Sequence, residues 1–226
     1  MSRFCDIENS EKGGTCVLVC NGPSLNKMKL KFLADFTSIG LNKIFLGFEK
    51  FNFTPKYYIA VNPKVISQSA SEIGKMSSIK FIGSGGHHLV DEDSSTYHIN
   101  TAGRLPRFST DLRLGAHEGW TVTHVALQVA YFLGFKTVII IGMDHRYSFN
   151  GAPNQSLRMN GPDVNHFCTS YFSELDWDCP DLARSEQSYK VARSFFENDG
   201  RNIIDATLEG NCDVFEKADY REVFGV

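Results

Sequence analysis

CVLVCNGPSLN, residues 16–26, joins a continuous apolar run to a turn of asparagine, glycine, proline and serine. Cys16 to Cys20 show no polar alternation, the pattern of a parallel strand buried on both faces. Asn21-Gly22-Pro23-Ser24 stops that strand. Gly22 permits positive φ or close backbone approach, Pro23 suits the first position of a helix, and Ser24 offers a hydroxyl to nearby amides or a ligand. With a helix over Leu25–Phe36, free amides and a positive dipole end face the carboxyl edge of the sheet, where open α/β sheets bind ligands. An ordinary strand-to-helix turn has the same composition, and neither GxGxxG nor GxxxxGK[ST] is present.

Outward from this stretch, Phe36–Leu41, Lys56–Val61 and Ile79–Ile82 read as further strands and Val65–Lys75 as a helix. Alternating strands and helices predict an α/β, Rossmann-like, mostly parallel sheet flanked by helices. The first three strands end beside Asn21, Asn42 and Asn62, and strand ends on one edge of a parallel sheet lie side by side. Trp120–Leu133 carries Val122, Val125, Ala126, Val129, Ala130 and Leu133 at helical spacing, and Gly134 ends it. The start of this helix leaves the amides of Thr121, Val122 and Thr123 free, with two hydroxyls beside them, as a second anion site. A threonine cap is the plainer reading of the same residues. Thr137–Ile141 is the most apolar strand and is expected at the centre of the sheet. It ends at Gly142-Met143-Asp144-His145, where Gly142 lets a ligand pack on the backbone and Asp144 can hold a ribose hydroxyl, a metal ion or a proton.

Between these signals lie two irregular stretches. Residues 83–117, with a strand-like piece at Tyr97–Ile99, read as a functional loop or inserted hairpin, and the adjacent His87 and His88 point apart rather than toward one metal. Residues 146–183 are polar but rich in aromatics, as expected of a lid over a bound ligand. Ser185–Asn198 reads as a helix capped by Ser185, Asn202–Asp205 as the last strand, and Asp213–Phe224 as a segment folded back on the core.

The 226 residues, 42% hydrophobic and 22% charged, suffice for one domain over residues 15–226, with residues 1–14 as a flexible lead-in. A net charge of -3 without a long basic run argues against a nucleic-acid surface. No apolar leader or membrane-spanning run is present, so the expected location is the cytoplasm. The six cysteines form no CxxC pair, which favours reduced thiols over a zinc site, and no metal site is assigned. Exposed sheet edges and the aromatic C-terminal segment are compatible with a homo-oligomer.

Strand-NGPSLN, an Asn-Pro after a later strand, and a Thr-bearing helix ending in LGF before VIIIGMD together resemble the MptE-like superfamily. That superfamily includes archaeal 6-hydroxymethylpterin pyrophosphokinases and the central domains of flagellin-modifying glycosyltransferases, and looks related to bacterial CMP-sialic acid-dependent sialyltransferases. The resemblance covers most of residues 15–205. It implies that Asn21, Gly22 and Ser24 contact nucleotide phosphate and ribose, and that Asn42 and Asn62 line the sugar-nucleotide site. It also implies that the helix start at Thr121 approaches the donor, and that Gly142 and Asp144 sit near the cytosine or ribose. The chain departs from those sialyltransferases at Gly119, where they carry an arginine, and at Ala183 or Arg184, where they carry a catalytic histidine.

The nearest replacement base is His166, in GPDVNHF on the lid, with His145 second because it follows Asp144. Arg146 and Arg158 are candidates to neutralise a leaving phosphate. The leading expectation is a metal-independent glycosyltransferase moving a sugar from a CMP-activated donor onto a surface glycan or its precursor. One alternative is pyrophosphoryl transfer from ATP to a small hydroxymethyl substrate, with magnesium held by Asp144 and Asp163. The other is a nucleotide-binding module without chemistry.

Overall fold

The computed structural model describes residues 3–103 and 105–226. In chain order the elements are β1 (Thr15–Val19), β2 (Thr37–Leu41), α1 (Phe48–Phe51), β3 (Tyr57–Ala60), α2 (Pro63–Lys75), β4 (Ile79–Gly83), β5 (Thr96–Ile99), β6 (Thr101–Ala102) and β7 (Ala116–His117). They continue with α3 (Val122–Leu133), β8 (Thr137–Ile141), β9 (Ser156–Arg158), β10 (Asp176–Asp178), α4 (Leu182–Asn198), β11 (Asn202–Asp205), β12 (Glu216–Lys217) and α5 (Tyr220–Phe224). Eight of the strands form one sheet, ordered β12-β11-β8-β1-β2-β3-β4-β5, and every pairing in it is parallel.

The chain runs outward from β1 to β5, returns to lay β8 on the other side of β1, and then runs outward again to β12. The reversal makes the β1/β8 boundary a topological switch point, where a crevice opens beyond the carboxyl ends of the strands. The register pairs Val19 with Ile141, so the turns after β1 and β8 lie side by side.

Period-two alternation divides the strand residues between two cores. Cys16, Leu18, Ile39, Val138 and Ile140 pack with residues of α3 and α4. Val17, Val19, Ile139 and Ile141 pack with α2, the segment after β1, the 146–183 excursion and α5. Apolar side chains are therefore needed at consecutive positions, which is why these strands read as unbroken hydrophobic runs.

Several expectations are corrected. The helix expected over Leu25–Phe36 is two 3-10 segments, Pro23–Lys27 and Leu30–Asp35, because the backbone leaves the helical region at Met28 (φ -96, ψ 150) and Lys29 (φ -88, ψ 84). Without an α-helix there, the dipole argument for anion binding after β1 lapses. Tyr97–Ile99 belongs to no inserted hairpin: β5 pairs parallel with β4 at the sheet edge. The cap of α4 is Asp181, whose carboxylate accepts the Arg184 amide, while the Ser185 hydroxyl donates to the Asp181 carbonyl at 2.8 Å. Residues 3–13 of the expected flexible lead-in are tied down, whereas residues 1–2 lie outside the described residues. The amides of Asn9, Glu11 and Gly13 donate to the carbonyls of Phe132, Leu133 and Gly134 at 3.1, 2.8 and 2.9 Å, satisfying acceptors at the end of α3. The C-terminal segment folds back as expected, with Phe224 stacked on Phe32 at 3.9 Å.

Inside α3, His124 is fully enclosed. Its Nε2 lies 2.7 Å from the Arg107 carbonyl and its Nδ1 has no partner among the described residues. Burial, opposed by the bond to Arg107, pulls its pKa down to about 4. The unfolded chain then takes up this proton first as the pH falls, so stability present above about pH 6.5 is lost toward pH 4. Urea melts across that range are expected to show His124→Gln losing less stability than the wild type, by up to roughly 3 kcal/mol.

Candidate functional site

A cleft of about 260 Å³ opens at the carboxyl edge of the sheet. Its floor is the pair of turns at the switch point: the Gly22 amide donates to the Gly142 carbonyl at 2.8 Å. Asp144, almost wholly buried, accepts the Ser24 amide at 3.1 Å on Oδ1 and the Ser24 hydroxyl at 2.6 Å on Oδ2. Burial pushes the Asp144 carboxyl upward, and the bonds from Ser24 oppose that shift. Gly22 is required by this clasp, because a Cβ there would fall 1.8 Å from Oδ2 of Asp144. Gly142 adopts φ +70, and a Cβ on it would meet Leu25 at 2.8 Å. Thus Ser24 turns toward Asp144, and neither Pro23 nor Ser24 lines the cleft.

Asn21, Asn42 and Asn62 all reach the cleft, with different fates. Asn21 donates from Nδ2 to the Leu41 carbonyl at 3.0 Å, leaving its Oδ1 buried and without a partner among the described residues. Asn42, in the left-handed region at φ +49, also keeps a buried, unpartnered Oδ1. Buried acceptors of this kind are costly unless a ligand donor completes them. Asn62 caps α2, its Oδ1 accepting the Lys64 amide at 2.9 Å.

At the start of α3 the Thr121 hydroxyl accepts the Thr123 amide at 3.3 Å and lies 3.2 Å from the Tyr189 hydroxyl. The Thr121 amide is used by the Glu118 carbonyl, and the Thr123 hydroxyl faces Cys20 Sγ. Of the three amides expected to be free, the Val122 N–H alone remains for a ligand among the described residues. Burial pushes the Cys20 thiol, which also lines the cleft, up to about 12, so it is no nucleophile.

The stretch 146–183 arches over the cleft and carries the small antiparallel hairpin of β9 and β10. His166 lines the cleft. Its Nδ1 donates to Oδ2 of the fully buried Asp163 at 2.8 Å, and its ring stacks on Tyr171 at 3.9 Å. Asp163 also accepts the Asn165 amide at 2.8 Å. His145 reaches the cleft too, but its Nε2 donates to Glu186 at 3.0 Å. Arg146 lines the cleft, whereas Arg158 lies outside it on β9, 4.0 Å from Asp176. Asp144 and Asp163, the pair expected to hold magnesium, each have their carboxylates engaged within the chain and do not fit that role.

Sequence reasoning missed Asp163 as the partner of His166, although the i, i+3 spacing in DVNH was visible. It also missed Lys43, whose ammonium donates to Gln68 and to the Tyr171 carbonyl, both at 2.8 Å, beneath the arch. Burial pulls the Lys43 pKa down to about 8, against the attraction of Asp163.

The family model described as 6-hydroxymethylpterin diphosphokinase MptE-like matches residues 1–150. No curated protein matches the sequence. Among solved structures, the chain is similar to the MAf glycosyltransferase from Magnetospirillum magneticum AMB-1, with a TM-score of 0.59 and 12% identity over 95% of this chain and 35% of that one. The chain thus spans about a third of its neighbour's length, and the likeness is one of fold.

Gly22→Ala forces its methyl group into the Asp144 carboxylate and is expected to destabilise the protein by about 1–3 kcal/mol, the usual cost of overpacking. Chemical denaturation measures it. The double variant Gly22→Ala/Asp144→Ala is expected to be less destabilised than the sum of the two single changes, because the second removes the nearest clashing group and leaves the Gly142 carbonyl at 2.7 Å.

Proposed function

Because the chain belongs to the MptE-like family, we propose that it is a transferase of the glycosyltransferase kind, with His166 as the base and a CMP-activated sugar as donor. The observation that carries this reading is the Asp163–His166 pair, held over a cleft at the switch point. With Nδ1 donating to Asp163, the neutral imidazole keeps its Nε2 lone pair to accept a proton. The acceptor hydroxyl gives its proton to that nitrogen as its oxygen forms the new bond to the anomeric carbon. The bond from that carbon to the donor phosphate breaks, and the nucleoside monophosphate leaves with the electron pair. In this reading Arg146 and the Val122 amide at the start of α3, both lining the cleft, receive the charge on the phosphate. The unpartnered Oδ1 atoms of Asn21 and Asn42 suit the hydroxyls of a ribose or the amino group of cytosine. The described structural neighbour is itself a glycosyltransferase.

We assign no step to a divalent cation, since Asp144 and Asp163 are committed to Ser24 and His166. The acceptor in this reading is a surface glycan or its precursor, modified in the cytoplasm, where six free thiols persist. No helix among the described residues is long and apolar enough to cross a membrane. A second reading, pyrophosphoryl transfer from ATP, is favoured by the family's description.

Melting curves with CMP, CDP, UDP, GDP and ATP, each with and without magnesium, separate the two. CMP at a hundredfold excess over its Kd is expected to raise the melting temperature by roughly 5–10 °C without magnesium. A shift with ATP and magnesium alone transfers the assignment to pyrophosphoryl transfer. His166→Ala is expected to keep the CMP shift and to lower turnover by about 10²–10⁴-fold. Full activity in that variant removes His166 as the base.

A further inference from the structure

Residues 118–121 form a tight turn at the mouth of the cleft. The Thr121 amide donates to the Glu118 carbonyl at 3.1 Å, and the two residues between them, Gly119 and Trp120, have φ of +53 and +64. Positive φ at both central positions is the pattern of a type I′ turn, whose second central residue is ordinarily glycine or asparagine. A tryptophan there is strained, and such strain persists where the surrounding structure enforces it. The enforcement is visible, since a Cβ on Gly119 would fall 2.5 Å from the His124 ring and 2.7 Å from the Ser188 hydroxyl. The turn is thus pressed between α3 and α4.

The strain puts a partly exposed indole into the wall of the cleft. The Arg184 guanidinium lies 5.1 Å from the ring centroid and covers one face, while holding Asp181 at 3.6 Å. The Glu118 carboxylate, with no hydrogen-bond partner among the described residues, lines the same cleft beside it. A flat apolar face next to a carboxylate matches a pyranose ring, which presents axial C–H bonds on one face and hydroxyl donors around its rim.

We propose that the open face of Trp120 is the platform for a sugar ring of the acceptor, with Glu118 receiving that ring's hydroxyls. This rests on the glycosyltransferase reading of the cleft. A nucleobase stacks on an indole equally well. The Glu118 carboxylate beside the ring disfavours a phosphate against this face, and the asparagine acceptors assigned to the nucleoside lie at the ends of β1 and β2 instead.

The test reads the tryptophan side chains themselves. The chain has two tryptophans, so a nitrogen-15 correlation spectrum shows two indole N–H signals, and Trp120→Phe assigns them. Galactose, N-acetylglucosamine and lactose are titrated with and without saturating CMP. The expected result is a saturable shift of the Trp120 signal with at least one saccharide. Trp120→Gly, which suits the positive φ, is expected to hold or raise the melting temperature, to weaken saccharide binding at least tenfold and to leave the CMP Kd within twofold. An unmoved Trp120 signal with every saccharide overturns the proposal, as does a tenfold loss of CMP affinity in Trp120→Gly, which would make the indole a nucleobase platform. Failure of the glycosyltransferase reading is seen separately, as absence of any CMP-induced stabilisation in the wild type.

Discussion

The contact between Asp144 and Ser24 governs the candidate site. It ties the turn after β8 to the turn after β1, the two strands between which the sheet reverses its order. A buried carboxylate is tolerated because it receives two hydrogen bonds, and losing such a partner costs about 1–3 kcal/mol. The contact also dictates what surrounds it. Gly22 must lack a side chain, Asn21 is left to bridge to Leu41, and the crevice between the turns stays open above them. Position and chemistry thus have one cause, since the contact that fixes the shape of the turn after β1 also engages both carboxylate oxygens of Asp144.

The arch over the cleft is anchored to the same floor. The Phe167 amide donates to the Asn21 carbonyl at 3.0 Å, and the Phe167 carbonyl accepts from Asn26 at 2.9 Å. On the far side Lys64 meets Asp178 and Ser156, and Gln68 donates to the Asp176 carbonyl at 2.8 Å. Lys43 joins Gln68 to Tyr171 and sits 4.7 Å from the Phe172 ring. With these ties and its aromatic packing against the second core, the 146–183 stretch is a roof fixed to the sheet, and His166 is positioned before any ligand arrives.

Strands and layers were legible because their signal is local: a strand buried on both faces needs an apolar residue at every position. The segment after β1 was not, because its apolar residues fit an α-helix and the break lies in the backbone of Met28 and Lys29. Ser24 and Asp144 were each marked, but their mutual contact spans 120 residues of separation and depends on strand order. Arg158 was chosen for its charge alone, and the hairpin carries it away from the cleft. Strain was invisible as well. Among the described residues, Asn42, Trp120, His145 and Asn154 take positive φ and line the cleft, positions that no local propensity predicts for tryptophan or histidine.

The two cleft histidines show how much depends on which ring nitrogen is held. His166, which lines the cleft, is fixed through Nδ1 by a buried carboxylate whose other oxygen is also bonded, so its Nε2 is left as the acceptor. His145 is fixed through Nε2 by the more exposed Glu186. Holding the outer nitrogen leaves Nδ1, the one closer to the backbone, for any chemistry. At φ +51 that backbone follows directly on Asp144, whose carboxylate is held by Ser24. The sequence offers two bases of the same kind, and the difference between them comes from the carboxylate behind each ring.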